Sequence, residues 1–149
     1  MPTYLCHTAT GALNPDQKAD IARAITRAHS EEAKAPSYFA EVIFMDYPPS
    51  SYFLGGQPGP STQIWIRGDI RAGRTQDQRA RLLLRLAREV AELAGVAPEE
   101  VWVYLNELQA ENMVEFGALL PKPGEEEAWF LGLPEAVRCR LMALGSTVR

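Results

Sequence analysis

Apolar residues recur every three to four positions in "NPDQKADIARAITRAHSEEAK". Ile21, Ile25, Ala28 and His29 fall at i, i+4, i+7 and i+8, on one face of a helix. Asn14 suits the N-cap and Pro15 the first turn, and Pro36 is expected to end the stretch. A second helix is predicted in "TQDQRARLLLRLAREVAELAG", with Thr75 as N-cap and Gly95 as stop. Its apolar stripe is Leu82, Leu86, Val90 and Leu93. Each helix lies between two β-prone runs. "PTYLCHT" and "YFAEVIFMDY" flank the first, "QIWIRGDI" and "EEVWVYLNEL" the second.

The two β-α-β units align without a gap at an offset of 61, with Asp16-Gln17-Lys18-Ala19 on Asp77-Gln78-Arg79-Ala80 and Arg27 and Glu31 on Arg88 and Glu92. The expectation is one α/β (α+β) domain over residues 1–149. Repeat one runs over about 2–47 and repeat two over about 62–108. The Pro-, Gly- and Ser-rich linker of about 48–61 is expected as a loop. Two parallel strand pairs would form a four-stranded mixed sheet with both long helices on one face. The C-terminal segment, 109–149, is expected to hold a turn or short helix around Glu125–Phe130 and a short helix from about Pro134.

Composition narrows the function. Hydrophobic residues are 46% and charged residues 23%, as in an ordinary globular protein, and the net charge is −4. No basic run outside one helix suggests a nucleic-acid surface, and no apolar run reaches membrane-spanning length. Cys6 and Cys139 lack metal-ligand spacing, so neither a disulfide framework nor a metal site is expected. The N-terminus lacks a charged n-region and a long apolar stretch, and a cytoplasmic location is expected.

Several residues could carry chemistry. Pro2 is tolerated as a strand start, but it would become a free secondary amine if Met1 were removed. At offset 61 it falls on Gln63, and His29 falls on Val90, so the second half has neither. Arg71 and Arg74 in "IRAGRT" precede a helix N-terminus and could clamp a carboxylate, or could be a solvated surface pair. His29, on an apolar stripe, needs partners and could be a ligand or a satisfied core residue. Tyr104 shares a strand face with Trp102 and suits packing as well as catalysis. Glu115 in "ENMVEFG" is a desolvated base or an ordinary loop carboxylate. No role is assigned to His7, and the run "GEEEAWF" reads as solvated charge.

Together these features resemble the tautomerase superfamily, and within it the cis-3-chloroacrylic acid dehalogenase group. The resemblance rests on the proline after Met1 and on "AITRAH", "IRAGRT", "EEVWVY", "NMVEFG" and "PGEEEAWF" in that order, and it covers nearly the whole chain. It implies catalytic roles for Pro2, Tyr104 and Glu115, and substrate-binding roles for His29, Arg71 and Arg74. One departure is Phe116, where the family often has tyrosine; another is the segment "SEEAKAPSYF". The implied activity is hydration or hydrolytic dehalogenation of short α,β-unsaturated acids to malonate semialdehyde. The implied assembly is a homotrimer, with a small carboxylate as substrate and no cofactor. The alternatives are a 2-oxo acid keto–enol tautomerase with Pro2 as base, malonate semialdehyde decarboxylation as a second activity, and a non-catalytic trimeric binding protein.

Overall fold

The computed structural model describes residues 2–145. The first unit is β1 (Thr3–Ala9), α1 (Pro15–Ala33) and β2 (Glu41–Tyr47). A short hairpin follows, β3 (Phe53–Leu54) and β4 (Gln57–Pro58). The second unit is β5 (Ile64–Arg71), α2 (Gln76–Ala94) and β6 (Val101–Leu108). A further hairpin, β7 (Val114–Glu115) and β8 (Ala118–Leu119), precedes α3 (Glu126–Gly132) and α4 (Glu135–Gly145).

Both long helices start on reciprocal capping boxes. The Gln17 backbone N–H donates to Asn14 Oδ1 at 2.8 Å, and the Asn14 N–H donates back to Gln17 Oε1 at 3.1 Å. Thr75 and Gln78 repeat the exchange at 3.2 and 2.9 Å. Each cap is worth about 1 kcal/mol. Helix α2 ends on Gly95 in the left-handed region, as expected. Helix α1 ends two residues before Pro36, on Lys34 at φ 54°.

The strands form one sheet in the order β2-β1-β5-β6, with parallel outer pairs and an antiparallel centre. One face packs against both helices. Tyr4 and Cys6 of β1 and Ile64, Ile66 and Ile70 of β5 meet Ile21 and Ile25 of α1 and Leu82, Leu86 and Val90 of α2. Each fully buried aliphatic side chain contributes about 1.5–3 kcal/mol. The opposite face leaves Ile43, Met45, Trp102 and Tyr104 exposed. Cys6 and Cys139 are free thiols. Among the described residues, no helix is long and apolar enough to cross a membrane.

Two expectations need correction. The linker is not only a loop: Gly55 and Gly56, at φ 60° and 79°, turn the β3–β4 hairpin. The repeat is also not gapless. The long helices keep the offset of 61, but β1 and β5 correspond at 62. Thr3 lies opposite Glu41, and Trp65, not Ile64, lies opposite the matching Trp102. The link before α2 is one residue shorter than the link before α1, which absorbs the shift. The structural counterpart of Pro2 is therefore Ile64, not Gln63, and that of Arg71 is Ala9, not Thr10.

The antiparallel centre determines where chemistry can gather. Thr3 pairs with Asp69, so the start of β1 lies beside the end of β5. Pro2 and the Arg71–Arg74 link meet at that edge, and α1 runs back to it with His29 in its second half.

Candidate active site

At this end of the sheet, Pro2, His29, Arg71 and Arg74 line one small cavity, with Phe39, Leu120 and Glu126 among its other walls. Pro2 is buried, and its carbonyl accepts the Glu41 N–H at 2.9 Å, which anchors the start of β1 to β2. The pseudosymmetric position at the other end of the sheet is lined by Ala9, Leu13, Ile64 and Val96 among others, and none of these four can ionise. The duplication left one chemically equipped end.

The two arginines are not equivalent. Arg71 is 8% exposed, and its guanidinium is engaged twice. It donates to the Pro121 carbonyl at 2.6 Å and pairs with the Glu126 carboxylate. Arg74 Nε is buried and has no hydrogen-bond partner among the described residues. An unsatisfied buried N–H is costly, so this edge of Arg74 is suited to an incoming acceptor. Burial and the adjacent Arg71 charge lower the Arg74 pKa, against the fields of Glu126 and Glu107. A second anion in this cavity would relieve that repulsion.

His29 is 3% exposed, and its Nδ1 lies 2.7 Å from the hydroxyl of Tyr4. Burial, together with the Arg74, amino-terminal and Arg71 charges, pushes its pKa down to about 3. The ring is therefore neutral across the physiological range.

Glu115 lies on the other side of Pro2. Pro2 and Phe39 are walls common to the first cavity and to a wider depression that holds Glu41, Glu115 and Phe116. Burial raises the Glu115 pKa and the Glu41 charge adds to it, while the positive amino terminus opposes both. The β7–β8 turn fixes its position: Phe116 at φ 53° and Gly117 at φ 81° are both left-handed, as a tight two-residue hairpin requires. Phe116 packs near the small cluster of Phe39, Ala110 and Leu120.

Tyr104 is not brought to this cavity within one chain. It is 54% exposed, on the sheet face opposite the helices, and makes an edge contact with Trp65 at 5.7 Å between ring centroids. Two groups that hold the lining residues carry no distinct signal in the sequence, Tyr4 behind His29 and Glu126 beside Arg71. Tyr4 is one of several β-prone residues in its strand, and only the fold puts its hydroxyl against His29. Glu126 was hidden in an acidic run read as solvated, and it pairs with Arg71 instead.

Residues 1–132 match a family model described as "Putative oxalocrotonate tautomerase enzyme". No curated protein matches the chain. Among solved structures, the chain is similar to N1, a member of the cis-3-chloroacrylic acid dehalogenase family. The two are 40% identical with a TM-score of 0.91, over 95% of this chain and 99% of that one. It is also similar to an asymmetric trimer of wild-type fused 4-OT (23% identical, TM-score 0.73, 85% and 98% covered). A third is FG41 malonate semialdehyde decarboxylase inhibited by 3-bromopropiolate (18% identical, TM-score 0.67, 89% and 99% covered). The last two likenesses concern the fold.

Proposed function

This chain belongs to the tautomerase superfamily, in the family of cis-3-chloroacrylic acid dehalogenase, and from that premise we propose that it hydrates short α,β-unsaturated acids without a cofactor. The substrates are 3-haloacrylates and acetylenic acids, and the product is malonate semialdehyde. The observation that carries this reading is the cavity in which Pro2 faces two guanidiniums on one side and borders Glu115 on the other.

The substrate carboxylate binds Arg74 first, through its unpartnered edge, with Arg71 adding positive charge and His29 a further hydrogen bond. Holding the anion draws electron density toward the carboxylate and leaves C3 electrophilic. Glu115, with its raised pKa, takes a proton from water as the water oxygen bonds to C3. Pro2, as a cationic amine, delivers a proton to C2. A 3-haloacrylate then carries hydroxyl and halogen on C3 and loses hydrogen halide to give the aldehyde. An acetylenic acid gives the enol of the same product. The proton on Glu115 returns to Pro2.

Tyr104 fits this scheme if the chain forms a homotrimer. A neighbour's Tyr104 would then assist Glu115, and the exposed apolar sheet face that carries it supports such an assembly. The neighbouring fused 4-OT structure is a trimer.

A second reading has one specific observation in its favour. Two guanidiniums beside Pro2 lower an amine's pKa, and a neutral Pro2 would serve as base in keto–enol tautomerisation of a 2-oxo acid. Decarboxylation of malonate semialdehyde would be a second activity of the same site. Incubation with a 3-haloacrylate, an acetylenic acid and an enol-pyruvate, following halide, aldehyde and ketone, separates these readings. Intact mass must show loss of Met1, because a retained Met1 makes Pro2 a tertiary amide without a basic nitrogen. Turnover by Pro2→Ala equal to wild type in every assay would defeat the enzymatic reading.

A further inference from the structure

We propose that Tyr4 is a positioning residue whose phenol holds His29 in one tautomer, with Nδ1 bare and Nε2 protonated, so that His29 can only donate to a bound carboxylate. The inference rests on the proposed reading for its substrate, but the tautomer itself stands on contacts within the chain.

The Tyr4 hydroxyl lies 2.7 Å from His29 Nδ1, both residues are buried, and their rings meet edge to face at 72° with centroids 5.8 Å apart. One proton lies between the two atoms, and two arrangements are possible. If Nδ1–H donated to the phenol oxygen, the phenolic proton would have no acceptor among the described residues, in a fully buried place. If the phenol donates, every proton is used. A neutral imidazole carries one N–H, so it then sits on Nε2. The ring is neutral because burial and the nearby positive charges push its pKa down to about 3, and burial raises the Tyr4 pKa, so the phenol keeps its proton to give.

Nε2 has no hydrogen-bond partner among the described residues, and His29 lines the cavity with Arg71 and Arg74. As an N–H it is a third donor for an anion. As a bare nitrogen it would repel one. The position of the phenol is built in. Tyr4 lies two residues after Pro2, on the buried face of β1, and both are buried. Its ring fits over β5 because residue 68 is glycine, where a Cβ would stand 2.5 Å from Tyr4 Cε1. The structural counterparts of Tyr4 and His29 in the second repeat are Ile66 and Val90, so the pair exists only in the half that carries the proline.

The test is ¹⁵N NMR of the imidazole rings, in wild type and Tyr4→Phe, with and without propionate as an unreactive carboxylate probe. There are two histidines, and His7→Asn assigns the signals. Wild type is expected to show His29 protonated on Nε2 only, with the Nε2 signal shifting on propionate binding. Tyr4→Phe is expected to populate the other tautomer and to weaken propionate by roughly tenfold. In turnover KM should rise more than kcat falls. Wild-type His29 protonated on Nδ1 overturns the proposal, as does Tyr4→Phe with an unchanged tautomer. Neither readout needs turnover, so an inactive protein would defeat the proposed reaction and leave this inference decided on its own data.

Discussion

Replacing Glu126 by glutamine keeps the side chain's shape and removes a carboxylate that already occupies a cavity guanidinium, that of Arg71. Glu126 pairs with Arg71 through one oxygen and accepts the Gly124 N–H at 2.8 Å through the other. The amide oxygen of the variant can still accept from Arg71, but its nitrogen cannot accept from Gly124. The loss is one charge-assisted bond weakened and one backbone bond broken. Such contacts are worth roughly 1.5–3 kcal/mol when buried. Glu126 is 31% exposed, so solvent screening brings the expected cost to about 1–2 kcal/mol. For a chain of this size that lowers Tm by about 3–6 °C. The pH dependence has a definite sign. Burial raises the Glu126 pKa, but the bonds from Arg71 and the local backbone outweigh it and hold the carboxyl below its ordinary value. A lowered folded pKa means the stabilisation is fully present above the unfolded value, about 4.3, and fades as pH falls through the folded one. Urea melts should therefore separate wild type from variant at pH 7, and the gap should close in acid. Anion binding should move the opposite way. Glu126 competes for Arg71, and its field reaches Arg74, so propionate should bind the variant several-fold more tightly. A gap that stays open in acid, or propionate binding that weakens, would refute the reasoning. Glu126 would then be orienting Arg71 for the substrate rather than competing with it.

Three further outcomes are expected. Gly68→Ala drives a methyl to within 2.5 Å of Tyr4 Cε1 and should cost about 1–3 kcal/mol in denaturant melts, with Tyr4→Phe giving no relief because the clash is with the ring. Ile25→Ala empties a fully buried position between the helices and the sheet and should cost about 2–5 kcal/mol, read from the same melts. Trp102→Glu puts a charge on the exposed apolar sheet face. Sedimentation velocity should show dissociation to monomers, with turnover lost and propionate binding retained.

Much of the fold was legible because its signals are local. The apolar stripes of α1 and α2, at three- to four-residue spacing, are the buried faces, and the Asn14 and Thr75 caps form as their side chains allow. The Gly55–Gly56 pair was a hairpin signal inside the linker, masked by the surrounding Pro and Ser. The register slip between β1 and β5 could not be read. The sequence match is carried by the helices, and a one-residue change in a link leaves no local mark.

The site divides along the same line. Residue types, spacing and the asymmetry between repeats picked out Pro2, His29, Arg71 and Arg74, because a proline next to the initiator methionine, an imidazole on an apolar stripe and paired guanidiniums are unusual wherever they fall. Whether these residues meet depended on an antiparallel pairing in the middle of the sheet, which brings the first residues of β1 to the last of β5. The inequality of the arginines came from Pro121 and Glu126, some fifty residues away in sequence. The tyrosine beside His29 and the sheet face that carries Tyr104 are likewise matters of what packs against what. Chain chemistry determined which groups were available. Only tertiary structure decided which of them share a cavity, since hydrogen bonds and desolvation act over a few ångströms and take no account of distance along the chain.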